Sequence, residues 1–332
     1  MRKRLPVLLV FLFLTVPSTA QERDSFWHDL NAFFDMRADK AYAKLDSTYI
    51  GRYPYHWDAH LYAQSSGLKI KSNTYGDFAL STGMQNRIGA GISYRGLSLN
   101  ISRTLGKRHG LDLTLESYGR HFCFEYALRM SGTLSGEAIL PPATPVGEVD
   151  NLLLGSNKLN LLYSFNPRFS YGAAMKQTDI QRRSAGSFLA GFSWMVWDVL
   201  FLDESEDLDN FFQSNYFYQR FSLGAGYAYN LVLDDRHWLL HASAVPMWTF
   251  YDMQAVQRIG ERSHMNYPFG HFAFACTTRA GIYFRWGKRW SLGYSGYINN
   301  LMASNKARRK AEGYKRFSAE EWQMLLSFTC RF

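Results

Sequence analysis

From Trp57 to Phe332 the chain places apolar side chains at every second position, in run after run. Ile88, Ala90, Ile92 and Tyr94 alternate with Gly89, Gly91 and Ser93. Leu111, Leu113 and Leu115 alternate with Asp112, Thr114 and Glu116. Phe122, Phe124, Tyr126 and Leu128 alternate with Cys123, Glu125, Ala127 and Arg129. Successive side chains of a strand point to opposite faces, so each run is a ribbon with one apolar face and one small or polar face. Further runs begin near Ser156, Gly186, Tyr216, His237, His271, Arg289 and Glu321. The pattern predicts about twelve antiparallel strands, an even number as a single-chain membrane barrel requires. The competing reading is a soluble sandwich with aromatic faces in its core.

Three features separate the two. "MRKRLPVLLVFLFLTVPSTA" opens on Arg2, Lys3 and Arg4, runs apolar from Leu5 to Val16 and closes on Ser18-x-Ala20, the pattern of a secretory signal peptide over 1–20. Short links at Arg95-Gly96, around Tyr118–His121, at Asp234-Asp235 and at Gly287-Lys288 alternate with long ones at Leu105–Gly110, Met130–Gly155, Asp198–Asn215, Tyr251–Gly270 and Asn300–Ala319. Short turns on one side and long loops on the other belong to outer-membrane barrels. Trp194, Trp197, Trp238, Trp248, Trp286, Trp290 and Trp322 are expected near strand ends, as an interfacial girdle. Aromatic residues make up 17% of the chain, while mean hydropathy is only −0.26, because alternation hides apolar faces in the average. The expectation is a transmembrane β-barrel over 57–332, preceded by a periplasmic segment, 21–56. Within that segment Phe26, Leu30, Phe33 and Phe34 fall near helical spacing, which predicts a short amphipathic helix.

The final run carries a further expectation. Trp322, Met324, Leu326, Phe328, Cys330 and Phe332 hold the apolar phase to the last residue. Closing strands of outer-membrane barrels commonly end in this way, so Trp322, Phe328 and Phe332 are expected to be read by the barrel-assembly machinery.

Composition excludes other classes. Without residues 1–20 the formal charge falls from +9 to +6, and the basic residues are scattered among aromatics and carboxylates, so nucleic acid is not an expected partner. Three cysteines, Cys123, Cys276 and Cys330, lie far apart and make no disulfide scaffold. No metal-ligand or cofactor motif is present, and no cofactor is expected.

The blocks "NRIGAGISYRGLSLNIS", "GLDLTLESYGRHFCFEYALRMSG" and "LNLLYSFNPRFSYGAAMKQTDIQRRSAGSFLAGFSW" resemble one family, known as domain of unknown function 4421 and found in Bacteroidetes-type outer membranes. Its most distinctive block is FSY-x-AA followed by Q-x-x-x-Q-x-x-SAGSF, here Phe169–Ala174 and Gln177–Phe188. The resemblance runs from about Thr48 to Phe332 and implies an outer-membrane barrel without assigning an activity. The block lies in the one long connection, Asn166–Gly186, that falls where a short turn belongs. Either the flanking strands extend into it or it folds below the membrane.

Candidate chemistry is sparse. His241 and Ser243 share a strand face, as a base and nucleophile would. Trp238, Leu240, Ala242 and Ala244 read as the lipid face, however, which sends His241 and Ser243 inward, and no orienting Asn or Asp is identifiable. Inward phases also carry Asp58, His60, Asp112, Glu116, Glu125, Arg129, Lys158, Arg220, Arg279, Arg285 and Arg331. Among these, Glu125, Arg129, Arg220 and Arg279 form the candidate lumen network, with Glu125 expected to meet an arginine because an unpaired buried carboxylate is costly. "KARRK" at 306–310 is a candidate contact for lipopolysaccharide phosphates, alongside outer-membrane lipids generally. The functional expectation is a non-enzymatic barrel, structural or a narrow passive channel. A lipid-modifying enzyme and a surface-binding module built on the long loops are the alternatives.

Overall fold

The computed structural model describes residues 45–73, 77–106, 110–140, 144–200, 214–234, 237–258, 261–263, 272–306 and 314–332, with scattered positions between 29 and 43. The expected signal peptide lies outside the described residues. The chain divides into residues 1–44 and Leu45–Phe332. In the first, Asp29, Ala32, Phe33, Asp35, Met36, Asp39 and Lys40 are helical, with Phe33 and Met36 exposed.

In the second, twelve strands follow one another around a closed ring. They are β1 Trp57–Ser72, β2 Gln85–Tyr94, β3 Leu97–Thr104, β4 Gly110–Tyr118, β5 Phe122–Leu140 and β6 Thr144–Ser164. The ring continues with β7 Ala185–Leu200, β8 Ser214–Leu233, β9 Trp238–Arg258, β10 Phe272–Trp286, β11 Trp290–Lys306 and β12 Tyr314–Arg331. Each pairs antiparallel with its successor, and β12 closes on β1 with Arg331 opposite Asp58. Beyond that pair, Phe332 N donates to Trp57 O at 3.0 Å and Trp57 N to Phe332 O at 3.2 Å.

Turn chemistry explains the tight end. The two-residue link between β2 and β3 has φ of 51° at Arg95 and 88° at Gly96, the left-handed conformations that a twisted hairpin turn needs. The other end differs from the sequence expectation. The long loops expected at Met130–Gly155, Tyr251–Gly270 and Asn300–Ala319 are largely ladder, since β5 runs to Leu140, β6 starts at Thr144, β9 runs to Arg258, and β11 and β12 pair out to Lys306 and Tyr314. Backbone groups there satisfy each other by extending the hairpins, which hydrophobic alternation alone does not reveal. By contrast β2, β3 and β4 are short, and a strand at Asp77–Ser81 lies over them, pairing with both β1 and β5.

The alternation resolves into two faces. Outward positions carry Leu61, Ile88, Phe188 and Tyr294 at 64%, 58%, 70% and 50% exposure, and comparable residues continue around the ring. A water-soluble monomer does not expose an apolar belt of this extent, whereas lipid requires one. Aromatics edge the belt at the short-turn end, with Trp57 beside Tyr94 (4.6 Å between rings), Trp238 beside Phe284 (4.6 Å) and Trp290 beside Phe328 (5.3 Å). Trp197 is a correction to the expected girdle. It faces inward at 3% exposure and stacks on Tyr218. Its position three residues from Trp194 puts the two on opposite faces of one strand.

Candidate functional site

The inward phases fill the barrel in three levels. Toward the long-hairpin end the lining is apolar, with Ile70, Leu134, Val199, Leu301 and Phe317 each at most 2% exposed. Phe317 stacks on Tyr218 with rings 4.5 Å apart. This layer packs as the core of a soluble protein does, although it lies inside a barrel.

Below it the lining is ionic, and its bonds cross the lumen. On β5, Glu125 takes a bidentate contact from Arg279 of β10, Nη1 to Oε1 and Nη2 to Oε2, both 2.6 Å. Asn160 Nδ2 and Tyr118 Oη also donate to Glu125, at 3.3 and 3.2 Å. On β12, Glu321 accepts from Lys158 Nζ of β6 at 2.9 Å, from Tyr297 Oη at 2.7 Å and from Arg129 Nη1 at 3.4 Å. Strands β6 and β12 are six places apart in a ring of twelve, so Lys158 and Glu321 join opposite walls. Arg129 reaches Gln323 Oε1 at 3.3 Å and Asp112 Oδ2 at 3.1 Å, and Arg87 binds the same Asp112 oxygen. Arg87 is completed by Gln85 Oε1 at 2.6 Å and Thr104 Oγ1 at 3.1 Å. Moving each ion out of water costs several kcal/mol, and only such close, multiply bonded pairing offsets that.

The third level is the long connection between β6 and β7. It neither extends the strands nor folds beneath the membrane; it turns into the barrel mouth. Ser170 caps the five-residue helix Tyr171–Met175, accepting from Ala173 N at 3.0 Å and donating to Asp179 Oδ2 at 2.7 Å. Tyr171, Gly172, Ala173 and Ala174 are buried. Lys176 at the helix end pairs with Glu116 of β4 at 2.8 Å, and Arg331 Nη2 of β12 donates to Gln177 O at 2.8 Å. Gln181 Nε2 donates to Arg168 O at 2.7 Å and Arg183 O at 2.9 Å, which ties the two arms of the connection together. The short strand Asp179–Gln181 pairs with Ile50–Arg52, so the segment before β1 is laced to this plug. The distinctive sequence block is therefore the plug itself.

Asn230 of β8 fastens the plug to the wall. Its Nδ2 donates to Ser170 O at 2.8 Å and Gln181 Oε1 at 3.2 Å, while its Oδ1 meets His241 Nδ1 at 2.8 Å. His241 Nε2 in turn lies 3.2 Å from Ser243 Oγ. The partner missing from the sequence reading is thus Asn230, directly opposite His241 on the neighbouring strand. An Asn–His–Ser chain has the connectivity of an activated nucleophile, but Phe169 and Tyr171 lie against His241, their rings 6.3 and 5.6 Å away. All three residues are at most 5% exposed.

Of the candidate network, the structure brings Glu125 and Arg279 together and gives Arg129 to Asp112, Glu321 and Gln323. Arg220 stands apart. It is 1% exposed and opposite Asp252 in register, and its Nε and Nη1 make no hydrogen bond. Arg87, Glu321 and Lys176 were not among the sequence candidates, although Arg87 and Glu321 sit on inward phases where parity would have found them. Phe328 and Phe332 are exposed on the outward face and Trp322 is half-buried there. Residues 307–310 of the basic cluster lie outside the described residues, as does the side chain of Lys306.

A closed ring of twelve strands with an apolar belt outside and polar, paired groups within is an integral outer-membrane β-barrel. Its fold is similar to the outer-membrane protease OmpT of Escherichia coli (TM-score 0.38, 8% identity, 84% of this chain and 97% of that one). It is also similar to the β domain of the Bordetella autotransporter BrkA (TM-score 0.39, 11% identity, 82% and 99%). A third likeness is to the toluene transporter TodX of Pseudomonas putida (TM-score 0.29, 9% identity, 84% and 91%). None of these likenesses bears on activity. Comparison with curated proteins gives no match. The model of the family described as Domain of unknown function (DUF4421) matches residues 44–319, and the chain belongs to that family.

Proposed function

We propose that the protein is a non-enzymatic outer-membrane barrel whose lumen is held shut, a structural element in place of a standing pore. The observation that carries this is the Lys158–Glu321 bridge at 2.9 Å, which joins opposite walls between an apolar layer and a plug. A narrow passive channel would have to break that bridge, withdraw the helix Tyr171–Met175 and part the packed layer around Phe317. Purified protein in a planar bilayer should show no steady ohmic conductance, and a stable conductance in the unmodified chain would refute the proposal. Outward Lys69 and Lys71, exposed just beyond the apolar stretch of β1, suit lipid or lipopolysaccharide phosphates. The outward row Trp322, Phe328 and Phe332 suits recognition by the assembly machinery.

One observation favours a second reading, an outer-membrane lipid hydrolase: the Asn230–His241–Ser243 chain. Its burial beneath Tyr171 and Phe169 weighs against it, since an acyl ester has no approach to Ser243. Phospholipid hydrolysis in detergent that disappears in Ser243→Ala would establish the enzyme over the closed scaffold.

A further inference from the structure

The turn between β10 and β11 reads Trp286-Gly287-Lys288-Arg289-Trp290, two basic residues enclosed by two tryptophans. Gly287 has φ of 68° and open space where a Cβ would stand, so the chain reverses tightly and Trp286 pairs directly with Trp290. Both indoles lie on the lipid-facing side, at 39% and 38% exposure. The ring of Phe328 on β12 meets both, at 5.9 and 5.3 Å. Phe284 extends the row, 5.7 Å from Trp286 and 4.6 Å from Trp238 of β9. These five rings make a continuous aromatic platform across four strands, at the short-turn edge of the apolar belt.

Lys288 and Arg289 are exposed immediately beyond this platform. Neither pairs with a carboxylate among the described residues. Arg289 Nε donates to Tyr55 Oη at 3.0 Å, and its guanidinium lies 5.5 Å from the centre of that ring, which holds the fork in place and leaves Nη1 and Nη2 open. On the neighbouring β8–β9 turn the described carboxylate, Asp234, lies 3.9 Å from His237 Nδ1. The β2–β3 and β4–β5 turns carry single cations, Arg95 and Arg120, so two adjacent cations beside an aromatic platform distinguish the β10–β11 turn. Interfacial tryptophans sit at headgroup level, and cations just outside them are placed where lipid phosphates lie. The open edge of an arginine fork matches two oxygens of one phosphate.

We propose that this turn is a binding site for the headgroup of an anionic phospholipid, in the leaflet at the short-turn end. Lys288 and the open edge of Arg289 take the phosphate, while Trp286, Trp290 and Phe328 receive the glycerol and upper acyl carbons. Selectivity follows from charge. A zwitterionic headgroup brings its own ammonium to a place that already holds two unpaired cations, whereas an anionic headgroup brings none. The site lies on the outer surface and does not depend on whether the lumen is shut.

The test uses the full chain in nanodiscs containing equal amounts of phosphatidylglycerol and phosphatidylcholine, one of them photoactivatable in each arm, with labelled peptides found by mass spectrometry. Phosphatidylglycerol should label the peptide holding residues 286–290 about tenfold more than phosphatidylcholine does. In Lys288→Gln/Arg289→Gln protein the ratio should fall close to one. Soluble glycerol phosphate at the same concentration should not compete, because it has no acyl carbons for the aromatic platform. Retained heat-modifiable gel mobility would separate loss of the site from loss of the fold. If the double variant loses that mobility, Lys288→Gln alone carries the comparison and should lower the ratio about threefold. Equal labelling by the two lipids, or a ratio unchanged in the folded variant, would overturn the proposal. Displacement by glycerol phosphate would overturn it as well, by showing a phosphate site that does not need the lipid.

Discussion

Replacing Glu321 with Gln keeps the side chain's shape and removes one charge from the centre of the barrel. Removing one partner of a buried pair costs roughly 3–5 kcal/mol, most of it from the charge left behind. Here Arg129 retains Asp112 at 3.1 Å, so it is not the stranded group. Lys158 is, although its Nζ lies 4.6 Å from the centre of the Tyr297 ring, a cation–π contact that partly compensates. The expected destabilisation is therefore at the lower end, about 3 kcal/mol, near a hundredfold in the unfolding constant. Lys158→Met should cost less, about 2 kcal/mol, because Glu321 keeps Tyr297 and Arg129. The double variant removes both charges and should be much less unstable than the two single losses combined, with a coupling of about 2 kcal/mol. Guanidinium unfolding in detergent, followed by tryptophan fluorescence, measures all four corners of the cycle. Additivity within about 0.5 kcal/mol would show that Lys158 and Glu321 do not bind each other across the lumen, and the ionic clamp would have to be abandoned.

Three other outcomes are expected. Trp197→Ala, which empties a buried indole from the apolar layer, should destabilise by about 3–5 kcal/mol in the same unfolding assay, whereas a lipid-facing tryptophan would give far less. Asn230→Ala removes the contacts to Ser170 and Gln181, so a cysteine placed at Ala173 should become reactive to a water-soluble maleimide while barrel mobility on gels stays unchanged. Asp46, held below its ordinary value of 3.8 chiefly by the Thr48 hydroxyl, contributes stability above that pH and loses it as pH falls through the lowered value. Segment 46–52 should accordingly become sensitive to an acid-active protease only below that range.

Parity made the wall readable. Once strands alternate, Glu125 and Arg129 must share a face, and so must His241 and Ser243, without knowledge of the neighbours. Which inward groups meet was not readable, because Glu125 and Arg279 are separated by 154 positions in sequence, and their meeting depends on ring size and tilt. The same limit hid Asn230 from His241. The plug escaped for a different reason. Tyr171–Met175 is five residues long, too short to show a helical period, and its polar contacts go to β4, β8 and β12 in place of its own neighbours. Trp197 lies near a strand end, where girdle aromatics belong, but the alternation it shares with Trp194 assigns it to the inward face.

The pairing of Ile50–Arg52 with Asp179–Gln181 also has a mechanical side. Between Leu45 and β1, the chain is bonded to the plug through Arg182 N to Tyr49 O at 2.6 Å, Arg182 Nη1 to Ser47 O at 2.8 Å and Arg168 Nε to Asp46 Oδ2 at 3.1 Å. A tension applied at Leu45 therefore loads the plug before it loads the first stave of the wall. The wall is held by ladders many residues long, while the tether to the plug is a ladder of three residue pairs and a few side-chain bonds. Force arriving from that side is concentrated on this short ladder, and it pulls on the strand that anchors the stopper.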